Sequence, residues 1–133
     1  MFDVKLKVEN DNTIRSLKIN HATIVTGIIL LCTFVTFVIF SDNLLRTLTL
    51  YLLLGITYFY NTKISILYII ASALAGTIGE IFLMNFAKNT WFYLKPNFFG
   101  APSWLPPLWA IACIGALEIF VITNNINYLV NKK

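Results

Sequence analysis

Two acidic residues stand where the surrounding sequence gives a charge almost no water. Glu80 falls within the apolar run from Ile64 to Ala87, and Glu118 within the run from Trp104 to Thr123. An ionised carboxylate deep in a bilayer costs several kcal/mol on insertion scales, so such groups face a protein interior or a polar cavity. That setting suits a proton carrier, a general acid or base, or a counter-charge for a cationic ligand. A neutral carboxyl hydrogen-bonded to a neighbouring helix is the structural alternative for both.

Their neighbours differ. At 100° per residue, Glu80 shares a face with Ser72, Ala73, Gly76 and Thr77, while Ala71, Ala75 and Gly79 form a second ridge of small residues. Small side chains four apart let helices approach closely. This pattern predicts that the third helix is the central packing element and that Glu80 points inward. Glu118 lies with Ile111, Gly115, Ile122 and Asn125, nearer the other end, where water is within reach. With a rise of 1.5 Å per residue, the two acids are offset by about 10 Å in depth, too far for a direct carboxyl pair. Asn85, with Lys88 and Asn89, follows Glu80 closely enough to hold a polar head group beside it.

The stretch from Trp91 to Trp109, WFYLKPNFFGAPSWLPPLW, is the other unusual feature. Seven of its nineteen residues are aromatic, and it holds all four prolines of the chain. It is too apolar for bulk water and too rich in proline for one continuous helix. Trp91, Tyr93, Trp104 and Trp109 read either as an aromatic belt at the outer interface or as a lid over the bundle.

The elements that must position these residues follow from composition. Of 133 residues, 58% are hydrophobic and 12% charged, whereas a soluble domain carries about 25% charged residues. Soluble globular and disordered classes are both excluded, and an all-α integral membrane protein is expected. Crossing a hydrocarbon core takes roughly 20 helical residues. Four spans are predicted, at 22–40, 44–60, 64–87 and 104–123, forming one four-helix domain over 22–130. The second is short and has Arg46 near its start, where the side chain can reach water. The very short connections at 41–43 and 61–63 require the first three helices to alternate in direction.

Residues 1–21 form a tail on what the charge distribution predicts is the cytoplasmic side. Phe2, Val4, Leu6 and Val8 alternate with Asp3, Lys5, Lys7 and Glu9, a strand period, and Thr13–Ile19 reads as a returning strand. A hairpin alone is marginal, so it needs the membrane surface, the helix ends or a partner chain. Seven Lys or Arg on the side of the two tails and the second loop, against three on the other, predict both termini inside.

Other chemistries lack their apparatus. Cys32 and Cys113 sit in apolar runs without a CxxC or Cys/His pattern, so no metal site is expected. The lone His21 at the start of the first span reads as an interfacial residue. There is no Ser/His/Asp set, no Gly-rich phosphate loop, no implied cofactor and no basic cluster for nucleic acid. The first run is too long for a signal peptide and lacks a small-residue cleavage site, so it is expected to remain as a span.

In size and helix count the chain is similar to the small multidrug resistance transporters, a resemblance that implies proton-coupled exchange of cationic drugs at an intramembrane Glu. That family's acid lies in the first helix, while here the acids lie in the third and fourth. The run Trp91, Tyr93, Gly100, Pro102, Pro106 resembles the lycopene cyclase domain, which implies membrane-embedded chemistry on an isoprenoid. Where that family has an acidic pair after proline, this chain has Leu108 and Trp109. No residue role carries over from either family.

The expected function is therefore binding or transport of a small amphipathic or cationic ligand in the lipid bilayer, with Glu80 as the ionisable centre. A homo-oligomer or a membrane partner protein is expected where a pathway must be enclosed. A non-catalytic subunit or assembly factor is the alternative. A membrane enzyme on a lipid or isoprenoid substrate comes third.

Overall fold

The computed structural model describes residues 4–10, 13–19, 21–61, 64–86, 92–93, 95–97 and 99–131. Two strands, β1 (Val4–Asn10) and β2 (Thr13–Ile19), precede four helices: α1 (His21–Ile39), α2 (Asn43–Tyr60), α3 (Ile66–Phe86) and α4 (Leu105–Asn131). The strands pair antiparallel, with Val4 opposite Ile19 and Asn10 opposite Thr13. β2 rests against α4, so the hairpin is supported by a helix of its own chain.

Three of the helices are long and apolar enough to cross a membrane: His21–Ile39, Ile66–Phe86 and Leu105–Asn124. The expected second span is helical but is not among them. Its polar and tyrosine residues dilute the leucines, and Arg46 lies in its first turn. That arginine donates from Nε to the Phe40 carbonyl at 2.5 Å, and its guanidinium lies 5.3 Å from the centre of the Phe37 ring. It thereby satisfies a carbonyl just beyond the end of α1 that no further helical turn can reach. Asp42 caps α2 by accepting from the Leu45 N–H at 3.0 Å.

Direction alternates along the bundle. The start of α1 meets the end of α2, where the His21 and Tyr60 rings stack at 5.5 Å. α1 and α4 run antiparallel: Thr23 bonds Glu118 at one end, and Phe37 packs on Trp104 at the other.

The centre of the bundle differs from the expectation. α4, not α3, is the packing hub: it touches α1, α2 and α3, whereas the main packing of α3 is against α4. Small residues do mediate the α3–α4 contact, but through Gly76, which receives the Trp109 ring. The ridge of Ala71, Ala75 and Gly79 faces outward. A bulky indole needs one position without a Cβ, and α4 supplies the indole. The core follows this layout, with Ile29, Leu50, Trp104, Leu105 and Ile111 buried around α4.

Candidate functional site

Each acid is held by two neutral donors from other elements. On α3, Glu80 accepts from the Tyr93 hydroxyl at Oε1 and from the Trp109 indole N–H at Oε2, the latter at 2.9 Å. On α4, Glu118 accepts from the Thr23 hydroxyl at 2.6 Å and from the Asn61 amide at 2.9 Å. The two clusters share no partner among the described residues. Trp109 and Glu118 are nine residues apart on one helix, which sets the clusters about 13 Å apart along its axis.

The Glu80 cluster opens onto a cleft of about 480 Å³. One wall is α1, with Leu30, Thr33 and Phe34, and α4 forms the floor with Leu108, Trp109 and Ala112. Glu80 lies on the opposite wall, and Tyr93 and Trp104 close one end. Nearly all of this lining is apolar, and Phe34 is 68% exposed at the rim. The cleft is open on one side and almost wholly apolar, with the Glu80, Tyr93 and Trp109 group at its edge.

The closing end is built from the proline-rich stretch. Trp104 donates to the Asn43 side chain at 3.2 Å and packs edge-on against Phe37 and Tyr93. Asn43 also donates to the Lys95 carbonyl at 2.7 Å, and the Thr47 and Ser103 hydroxyls lie 2.9 Å apart. These bonds tie residues 95–104 to the first turns of α2. Gly100, at φ 86°, takes a left-handed turn that a side chain would strain, next to Phe99 at φ 45°. Beyond it Ala101, Pro102 and Leu105 are buried, while Phe92 stays 80% exposed. The segment therefore folds over the helix ends while keeping outward-facing aromatics.

Other sequence-derived candidates fall elsewhere. Trp109 belongs to α4 rather than to the loop, because Pro106 and Pro107 occupy the first turn of that helix, where their missing N–H groups cost nothing. Asn85 is exposed and bonds back to the Ile81 carbonyl of its own helix at 2.8 Å, so it is not brought to Glu80. Thr77 is buried in part, and its hydroxyl has no partner among the described residues. Trp91, Lys88 and Asn89 lie outside the described residues. Among the described residues there is no cluster of metal-ligating side chains, and both cysteines are free thiols.

No protein family, curated protein or solved structure matches the chain. The functional reading rests on the cleft and its residues.

Sequence reasoning missed that Tyr93 and Trp109 are the partners of Glu80. Burial, and then the hydrogen bond and charge of Glu80, hold the Tyr93 phenol above its ordinary pKa of 10.0. Tyr93 thus remains a donor through the neutral range. A group whose folded pKa is raised adds stability that is complete below its unfolded pKa and lost as the pH climbs toward the folded one. The melting temperature in detergent should therefore hold steady up to about pH 10 and fall above it through this group. In Tyr93→Phe that alkaline fall should be shallower. An identical profile in the variant would show that the bond does not couple to stability.

Proposed function

We propose that this chain is a multi-pass membrane protein that binds a small amphipathic ligand, whose polar head meets Glu80 while its apolar part lies along the cleft. The single observation carrying this reading is the convergence of one carboxyl group, with its Tyr93 and Trp109 donors, on an otherwise apolar chamber of about 480 Å³. The three long apolar helices and the large apolar side chains exposed along them support a bilayer setting. In that setting α2 completes the passage as a fourth, shorter span. The excess of basic residues at the end holding both tails then faces the cytoplasm. Either transport or reversible holding of the ligand is compatible with this site, and oligomerisation would supply a longer pathway.

Tryptophans 104 and 109 line the cleft and supply the readout. With the purified chain in lipid nanodiscs, a brominated long-chain amphiphile should quench their fluorescence with a saturable component. Glu80→Gln should weaken that component at least tenfold, because the amide turns its oxygen to Trp109 and its NH2 to Tyr93, which removes one acceptor oxygen from the ligand's head. Ala112→Phe should block it as well by filling the chamber without touching Glu80. Quenching that never saturates, or that both variants leave unchanged, would remove the proposal.

A second reading, a non-catalytic subunit or assembly factor, draws on the outward ridge of Ala71, Ala75 and Gly79, where a Cβ at Gly79 would meet no atom of the described residues within 4 Å. It predicts that the purified chain captures no amphiphile, so the same measurement separates the two.

A further inference from the structure

A second hollow, of about 400 Å³, lies at the end of the bundle where α1 gives way to α2. Tyr93 and Trp104 line both this space and the cleft, and so form a shared wall. The chemistry of the two differs. Here Asn43, Arg46 and Lys95 join the rings of Phe92, Tyr93 and Trp104 in the lining, so two cations stand where the cleft has a carboxyl.

Folding brings those cations together from distant parts of the chain. Asn43 donates to the Lys95 carbonyl at 2.7 Å and accepts from the Trp104 indole at 3.2 Å, which fixes the 95–104 segment against the first turn of α2. Arg46 follows Asn43 by three residues, on the same flank of that helix. It closes α1 by donating to the Phe40 and Phe37 carbonyls, at 2.5 and 3.4 Å. That task uses two of its five N–H groups. The other three, and the exposed Lys95 ammonium, have no partner among the described residues. No carboxylate among the described residues lines the hollow either. Asp42, next in sequence, accepts from Leu45 of its own helix, and Glu80 bonds Tyr93 and Trp109 on the cleft side.

We infer that this hollow binds the phosphate of an anionic phospholipid. A guanidinium with a free fork and a mobile ammonium are the pair of groups that suits phosphate oxygens. The level suits a head group, because the apolar run of α1 ends at Ile39, just before these residues. Aromatic rings such as Phe92, 80% exposed at the rim, belong at that depth. Beside the hollow, Ile39, Leu44, Leu45 and Leu48 are exposed and offer acyl chains an apolar surface. A free phosphate ion would have no use for that surface. The inference shares the bilayer setting proposed above but not the ligand at Glu80.

The test titrates the purified chain in detergent with phosphatidylglycerol or phosphatidylcholine of the same acyl chains, reading bound species by native mass spectrometry. The first phosphatidylglycerol should bind about tenfold tighter than phosphatidylcholine. Lys95→Gln should cut that preference about fivefold, and Lys95→Glu should erase it. Lys95 is the residue to change, because its side chain bonds nothing among the described residues, whereas loss of Arg46 reopens the end of α1. Lys18→Gln, which removes the same charge from β2, should leave the preference intact. Equal affinity for the two lipids, or equal losses from Lys95→Gln and Lys18→Gln, would overturn the inference. So would displacement of phosphatidylglycerol by an equal concentration of inorganic phosphate, which would make the free anion the ligand. The Glu80 reading is decided separately, by the response of the brominated amphiphile to Glu80→Gln.

Discussion

Replacing Gly76 with alanine should destabilise the bundle by about 2 kcal/mol, although helices ordinarily gain about 1 kcal/mol from that exchange. A methyl group there would sit 2.3 Å from Cγ and 2.7 Å from Cβ of Trp109. The Cβ of an α-helix cannot swing away, so relief requires either α3 to lift from α4 or the indole to turn. Turning the indole breaks its bond to Glu80, which adds to the loss. Thermal unfolding in detergent gives the magnitude, and Gly79→Ala is the control. Among the described residues nothing lies within 4 Å of the Cβ position at Gly79, so alanine there should be neutral or slightly stabilising. Equal losses at both sites would mean that the Trp109 contact is not what sets the spacing of the two helices.

Removing the carboxyl of Glu118 should cost a comparable amount by another route. Glu118 joins α4 to the start of α1 through Thr23 and to the end of α2 through Asn61, which is 6% exposed. Glu118→Leu strands the Asn61 amide in an apolar setting and unties three elements, at about 2 kcal/mol for two interhelical bonds. Glu118→Gln should retain most of the stability, because threonine and asparagine can each donate or accept and the amides can re-pair by rotation. Melting temperatures of the two variants decide it. A leucine variant as stable as the glutamine one would show that the knot contributes nothing.

These outcomes bear on how far the sequence can be read. Continuous apolar runs located the starts of all four helices and the ends of the first three within two residues, because an unbroken run of that length has few other uses. The end of α4 was not legible from hydropathy. It continues to Asn131, past the last apolar run, since residues 124–131 contain neither Gly nor Pro to stop it. Hydropathy marks where lipid is tolerated, whereas helix length is set by backbone hydrogen bonding. The three-helix contact pattern was also hidden: small residues announce that something comes close, but not from which side. Asn85 was expected near Glu80, yet five helical residues turn the chain by about 140° and point it away. The true partners are Tyr93, thirteen residues on, and Trp109, on another helix. Such pairings arise only when the chain folds back, and no local period encodes them.

The position of α3 gives the Glu80 bonds a second meaning. α3 leans on α4, and among the described residues the side-chain hydrogen bonds from α3 to other elements are those of Glu80. The latch that holds this outrigger is thus the same group that faces the cleft. Any molecule that competes with Tyr93 or Trp109 for those oxygens also slackens the outrigger, and by reciprocity a change in its tilt alters how tightly the molecule is held. For a molecule bound there as proposed, occupancy and helix angle would be two readings of one thermodynamic dial.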